Sequence, residues 1–289
     1  MAHYDMDSSS PDTASMIPVD RAVLQQLVIK LLQRKGMFVA EAEIVAERMI
    51  EADLRQRPGD GAGSLPEYLE AIDLGDIDPR ARIITVSETP AIAVLDGGSG
   101  MGHVGTTRAM QMAAEKVGGV GTGCVLIRNS RPCGDLGGIA RLAANQGLIG
   151  LVTTSFDEDS DSAAGDYGVA WAVPSPDGTA PLVQRERSLH LGAAVSILCD
   201  VLTAGLAGAD PRPRRRKPVR AANMVEYSLM AVSPDKFGAR DAFFSKWKSL
   251  WSNDATECDP GAVTTVPLLT SDARQLAQLA AKIKFPVTW

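Results

Sequence analysis

"VLIRNSRPCGDLGGIARLAANQGLIGLVTT", Val125 to Thr154, is the stretch on which the fold turns. "GCVLIRN" is continuously apolar up to Arg128 and reads as a buried strand. Leu136 to Gln146 carries small and apolar residues at helical spacing, and "LIGLVTT" returns to a strand pattern. A strand, helix and strand in succession predict a layer of helices against a sheet.

Outward from there, Thr106 to Val117 reads as a helix, and Ile83 to Val86 and Ala91 to Leu95 as two β-rich runs broken at Pro90. Toward the N-terminus, Leu24, Leu27, Val28, Leu31 and Leu32 recur on one helical face, with Asp20 as cap and Gly36 as stop. A second amphipathic helix runs from Ala40 to about Leu54. Downstream, "GVAWAVPSPDGTAPLV" predicts a hairpin turned at Pro176, Asp177 and Gly178, and Leu189 to Leu206 a buried helix. The tail predicts strands at "MVEYSLMAV" and "AVTTVPLL", with helices around Phe243 to Trp251 and from Ser271 to Ile283. The expected class is α/β (α+β), with residues 1–16 a disordered leader.

At 289 residues, 45% hydrophobic and 22% charged, the chain has an ordinary globular balance. A formal charge of -6 argues against nucleic-acid or anionic-membrane surfaces, which reward a basic field. The proline-broken basic run Pro211 to Arg220 reads as a solvated loop. Cys124, Cys133, Cys199 and Cys258 form no CxxC pair, so reduced thiols in a cytoplasmic protein are expected. No uncharged apolar run reaches membrane-spanning length.

"GGSGMGHVG", Gly97 to Gly105, contains GxGxxG between a strand and a helix, but no acidic residue ends the next strand as a dinucleotide site would require. A glycine-rich turn feeding a helix is the simpler reading. Only three histidines occur, His3, His103 and His190, and no ligand spacing suggests a metal. The acidic cluster "FDEDSDSAAGD" departs from an EF-hand and reads as a solvated loop. Cys133 has no adjacent histidine to make it a thiolate.

"EADLRQRPGDGAGSLPEYLEAIDLGDIDPRARI" and "TPAIAVLDGGSGMGHVG", together with the opening stretch and "VAWAVPSPDG", resemble the malate/L-lactate dehydrogenase family of the second type. "ILCDVLTAGLAGA" and "SPDKFG" extend the likeness toward the C-terminus. The resemblance implies a largely antiparallel sheet flanked by helices and a non-Rossmann nicotinamide site. It also implies an intertwined homodimer, with 17–75 packing with 225–289 and 76–224 forming a sheet-containing core.

The departures are as informative. Gly59, Asp60 and Gly61 stand where the family carries Ser-His-Gly with a general-acid histidine, and Ser64 where an arginine suits a substrate carboxylate. Pro132 replaces a second histidine, Gln184 an aspartate and Leu191 a lysine. These losses predict a repurposed, cofactor-independent cyclase, isomerase or lyase acting on a natural-product biosynthetic intermediate, a small-molecule substrate of large and apolar type, in the former dehydrogenase substrate cleft. The alternatives are an NAD(P)H-dependent reductase of a 2-keto acid or cyclic imine, and a non-catalytic relative. The expected cleft joins the Arg57–Ser64, Gly100–Gly105 and Asn129–Asp135 loops. Asp60, His103 and Arg131 are its candidate catalytic groups, and Arg57, Ser64, Ser130, Cys133 and Asp135 its candidate substrate contacts.

Overall fold

The computed structural model describes residues 15–156, 167–175, 182–188, 224–238 and 263–289, with positions 202, 206, 241, 244 and 245. The expected leader falls outside these as far as residue 14. The helices expected at Leu189–Leu206 and Phe243–Trp251, apart from those single positions, the hairpin turn, the acidic cluster beyond Phe156 and the basic run also lie outside them.

The described strands form two sheets. β1 (Met16–Asp20) pairs antiparallel with β9 (Thr265–Leu269). The larger sheet has the order β2 (Ile84–Glu88), β3 (Ile92–Asp96), β4 (Thr122–Ser130), β8 (Val225–Val232), β5 (Ile149–Phe156), β6 (Tyr167–Val173) and β7 (Leu182–Ser188). Only β3 and β4 run parallel; every other neighbouring pair is antiparallel, as the resemblance implies. β6 and β7 make the expected hairpin.

Helix α1 (Arg21–Arg34) begins where the Asp20 carboxylate accepts the Val23 N–H at 2.9 Å, and Gly36 follows its end at φ +93°. α2 (Val39–Leu54) buries Ala42, Val45, Met49 and Ala52. These helices share one apolar cluster with α3 (Leu65–Asp73), Val266 and Leu268 of β9, and Leu276 of α6 (Thr270–Lys282). α4 (Gly102–Val120) and α5 (Leu136–Ala144) cover the sheet in a second cluster around Met110, Val125, Ile139, Val152 and Leu229. Each fully buried side chain of this size contributes about 1.5–3 kcal/mol. Both helices sit close because β4 and β5 offer glycines beneath them. A Cβ on Gly123 would lie 2.0 Å from the Ala113 carbonyl oxygen, and one on Gly150 2.2 Å from that of Ala140.

The structure corrects several boundaries. Met16, assigned to the leader, pairs with Leu269. β8 sits between β4 and β5, so grouping 225–289 with the helical layer misplaces that strand. α4 starts at Gly102 rather than Thr106, inside the glycine run. α3 was not foreseen; Pro66 in its first turn is compatible with a helix because that N–H has no intrahelical partner.

Candidate functional site

α2 delivers the chain into "RPGDGAG". Gln56 turns it at φ +57°, a 3-10 turn at Pro58–Asp60 follows, and a second at Ala62–Ser64 leads into α3. Two acids grip this loop. Asp53, only 2% exposed, accepts the Ala62 N–H at 2.8 Å, and a Cβ on Gly61 would fall 1.8 Å from its Oδ1. Asp272 of α6 stands against Gly63, where a Cβ would lie 2.2 Å from Oδ2. Gly61 and Gly63 are therefore glycine because carboxylates occupy the space of a side chain, whereas Gly59 has open space. Burial pushes Asp53 up to about 8, the Ala62 N–H opposes the shift, and the charge of Asp272 adds to it.

This loop forms one wall of an open cleft of about 290 Å³, through Gly59, Asp60, Ser64, Glu67 and Tyr68. Pro132, Cys133 and Gly134 form the facing wall, and Ala71 and Ile77 make an apolar end. The Tyr68 hydroxyl donates to the Pro132 carbonyl at 3.3 Å and ties the walls together. The Tyr227 hydroxyl donates to the Arg131 carbonyl at 3.1 Å and anchors the facing wall to the sheet. Such a volume lies at the small end of ligand pockets.

Of the expected site residues, Asp60, Ser64 and Cys133 line the cleft. Ser64 donates its hydroxyl to the Gly61 carbonyl at 2.7 Å. Burial raises the Cys133 thiol to about 12, which keeps it protonated and a poor nucleophile. The Gly100–Gly105 loop does not line the cleft; His103 lies beneath it, 1% exposed, its ring edge-on to Tyr68 at 5.1 Å between centroids. Burial, with the charge of Arg48, lowers His103 to about 3, so it is neutral across the physiological range.

Three expected contacts, Arg57, Ser130 and Asp135, and the candidate catalytic Arg131 stand elsewhere. Arg57 is exposed and outside the lining. Ser130 is buried at the end of β4 against α4, where a Cβ on Gly105 would be 3.3 Å from its hydroxyl. Asp135 caps α5, accepting the Gly137 and Gly138 N–H groups at 3.1 and 3.0 Å, with Arg55 Nε 3.3 Å away. Its oxygens are committed to the fold. Arg131 is 7% exposed beside the facing wall, with Nε and Nη1 lacking hydrogen-bond partners among the described residues. Burial lowers its pKa and the charge of Asp76 raises it.

The sequence reading missed Asp53, Glu67 and Tyr68. Tyr68 and Glu67 become legible only once α3 is recognised, because helical spacing puts Ser64, Glu67, Tyr68 and Ala71 on one side.

The glycines of the glycine-rich loop are set by packing, and the cavity lined by Gly97, Gly100 and Gly105 is small, about 20 Å³. A Cβ on Gly100 would meet Ala81 at 2.7 Å, one on Gly102 the Arg131 carbonyl oxygen at 1.9 Å, and one on Gly105 Ile127 at 2.8 Å. Protein fills the space those glycines leave. The Ser64 and Tyr68 hydroxyl oxygens, whose protons go to the Gly61 and Pro132 carbonyls, keep lone pairs that could accept the N–H of a carboxamide such as that of a nicotinamide. Among the described residues no group of His, Cys, Asp and Glu could hold a metal ion, and no helix is long and apolar enough to cross a membrane.

A malate/L-lactate dehydrogenase family model matches residues 19–165. The chain is 38% identical over 131 residues to an L-sulfolactate dehydrogenase of Methanocaldococcus jannaschii, covering 45% of this chain and 38% of that protein. It is 32% identical over 214 residues to a malate/(S)-sulfolactate dehydrogenase of Methanothermus fervidus, covering 74% and 58%. The sequence match thus spans well under two thirds of these relatives' lengths. The solved malate dehydrogenase of Pyrococcus horikoshii superposes with a TM-score of 0.80 at 20% identity, over 97% of this chain and 99% of that one. A delta1-piperideine-2-carboxylate reductase of Pseudomonas syringae gives 0.75 at 18%, over 91% and 100%. At these identities the likeness is one of fold.

Proposed function

Because the chain belongs to the malate/L-lactate dehydrogenase family, we propose that it is a nicotinamide-dependent reductase whose acceptor is the C=N bond of a small cyclic imine, taken as the iminium cation. The observation that carries this reading is the charge of the cleft. Its described lining offers two carboxylates, Asp60 and Glu67, and no lysine, arginine or histidine. A 2-keto acid needs a cation for its carboxylate and an acid for its developing alkoxide. An iminium needs neither: it arrives protonated, is paired by a carboxylate, and becomes a neutral amine when hydride adds to carbon. Asp60 in the place of the family histidine then costs no proton donor.

A nicotinamide, when bound, supplies the hydride. The chain's residues do the rest. Asp60 accepts the iminium N–H and fixes the face presented, Glu67 adds to the negative field, Ser64 and Tyr68 orient the ring that shares the cleft, and Ala71, Ile77 and Pro132 exclude water. The non-redox reading finds no support in the relatives reported above, each named for a dehydrogenase or reductase.

Titration with NADH and NADPH is expected to give a micromolar dissociation constant for one of them, about -8 kcal/mol. Turnover should favour cyclic imines over 2-keto acids. Asp60→Asn should lower kcat/KM by about 10–100-fold, or roughly 1.4–2.7 kcal/mol of barrier. No nicotinamide binding at millimolar concentration would overturn the reductase and return the cleft to cyclisation, isomerisation or elimination.

The homodimer implied by the resemblance belongs to the same proposal. Ile84 and Val86 on the edge strand β2, with neighbouring Ile92, are 61%, 49% and 52% exposed, an apolar edge suited to a second copy. Light scattering at micromolar concentration should return twice the chain mass; a monomer refutes the pairing.

A further inference from the structure

His103 is surrounded by the cleft without opening into it. Tyr68 packs edge-on against its ring. A Cβ on Gly134 would lie 3.1 Å from its Nε2 and 3.2 Å from the carbonyl oxygen of Asp60, so Nε2 and that carbonyl flank the same bare glycine. Tyr68, Gly134 and Asp60 all line the cleft. Neither ring nitrogen has a hydrogen-bond partner among the described residues. A buried polar group without a partner is rare, and a neutral imidazole always carries one N–H that needs an acceptor.

Gly134 holds φ +72°, a conformation that favours glycine, and the absent side chain keeps Nε2 close to the Pro58–Asp60 turn. The second residue of α4, His103 stands near a helix N-terminus, where the dipole also disfavours a protonated ring. Its chemistry at this place is therefore donation from a neutral N–H.

We propose that His103 is a positioning residue: its Nε2–H donates to a water that in turn donates to the Asp60 carbonyl oxygen, holding the Pro58–Asp60 turn so that the Asp60 carboxylate faces a cationic ligand. A buried water with two or more polar partners is an ordinary structural element. The proposal rests on the reading of the cleft as a cation site, not on hydride transfer. No proton moves; the histidine acts through the turn.

The test uses the whole chain, with piperidine, a stable cyclic amine that is a cation at neutral pH and carries no carboxylate, as probe. In the free protein, nitrogen-15 spectra of the histidine rings should show His103 as the Nε2–H tautomer with magnetisation transfer from water. The Nδ1–H tautomer, or no water contact, overturns the proposal. His103→Gln keeps a neutral donor and should bind piperidine within about threefold of the parent, whereas His103→Phe, which keeps the packing, should weaken binding about tenfold. Combined with Asp60→Asn, the phenylalanine variant should add almost nothing to the loss. Independent, additive losses, or equal binding by the glutamine and phenylalanine variants, would show that the ring only fills space. Failure of the reductase reading would appear instead as absent nicotinamide oxidation with these binding results intact.

Discussion

Replacing Asp53 with asparagine should expose a pH dependence of stability that the wild-type chain conceals. Asp53 is lifted from 3.8 to about 8 by burial, so the folded state keeps a proton that the unfolded state releases, and its contribution to stability declines as pH rises from about 4 to 8. His103 is lowered from 6.5 to about 3, so the unfolded state takes a proton that the folded state refuses. Its contribution therefore declines as pH falls from about 6.5 to 3. Between about pH 4 and 6.5 the two slopes, each about 1.4 kcal/mol per pH unit, cancel. From 6.5 to 8 only Asp53 acts, and roughly 2 kcal/mol should be lost.

Urea melts across this range check the account. Relative to wild type, Asp53→Asn should grow more stable with rising pH between 4 and 8, its amide oxygen still accepting the Ala62 N–H. His103→Gln should grow relatively more stable with falling pH between 6.5 and 3. An Asp53→Asn profile parallel to wild type throughout would refute the assignment.

The second large effect is expected at Gly102. A Cβ there would lie 1.9 Å from the Arg131 carbonyl oxygen and 2.6 Å from the Pro132 carbonyl carbon and oxygen, all backbone atoms. Backbone cannot swing aside as a lysine tip can. The Arg131 carbonyl is further held by Tyr227. Gly102→Ala should cost about 3 kcal/mol or more and shift the facing wall of the cleft, so ligand affinity should fall with stability. Gly59→Ala, with open space at its Cβ, is the control and should change stability by under about 0.5 kcal/mol. If the two alanine variants melt alike, the contact between the α4 start and the 131–132 backbone is not as described.

These positions also show what the sequence could and could not disclose. α1, α2, α5 and most strands were legible because their apolar periodicity, Asp20 and Gly36 are local signals. α3 was not: "SLPEYLEAIDL" follows a glycine run and begins with proline, and local turn chemistry outweighed a short amphipathic repeat. β1 was not foreseen, because only Met16 of it fell in the expected leader and its partner is β9, far along the described chain. For the candidate site, resemblance pointed to the Arg57–Ser64 and Asn129–Asp135 segments, parts of which line the cleft. It could not tell that Asp135 is consumed by a helix cap and Arg55, or that Gly102 belongs to a packing contact rather than a phosphate loop. Both outcomes depend on which backbone atoms meet across long sequence separations, which residue type alone does not encode.

The pairing of β1 with β9 has a consequence for how the chain is made. Asp20 ends one strand and Thr265 begins the other, so about 245 residues must be synthesised before the first can find its partner. At roughly 5–20 residues per second, that interval is about 12–50 s. For most of it α1 and α2 have already been made, while Val266, Leu268 and Leu276, which complete their apolar cluster, do not yet exist. α1 and α2 thus emerge long before the residues that seal them, and for that interval their leucine faces are what a nascent-chain chaperone would meet.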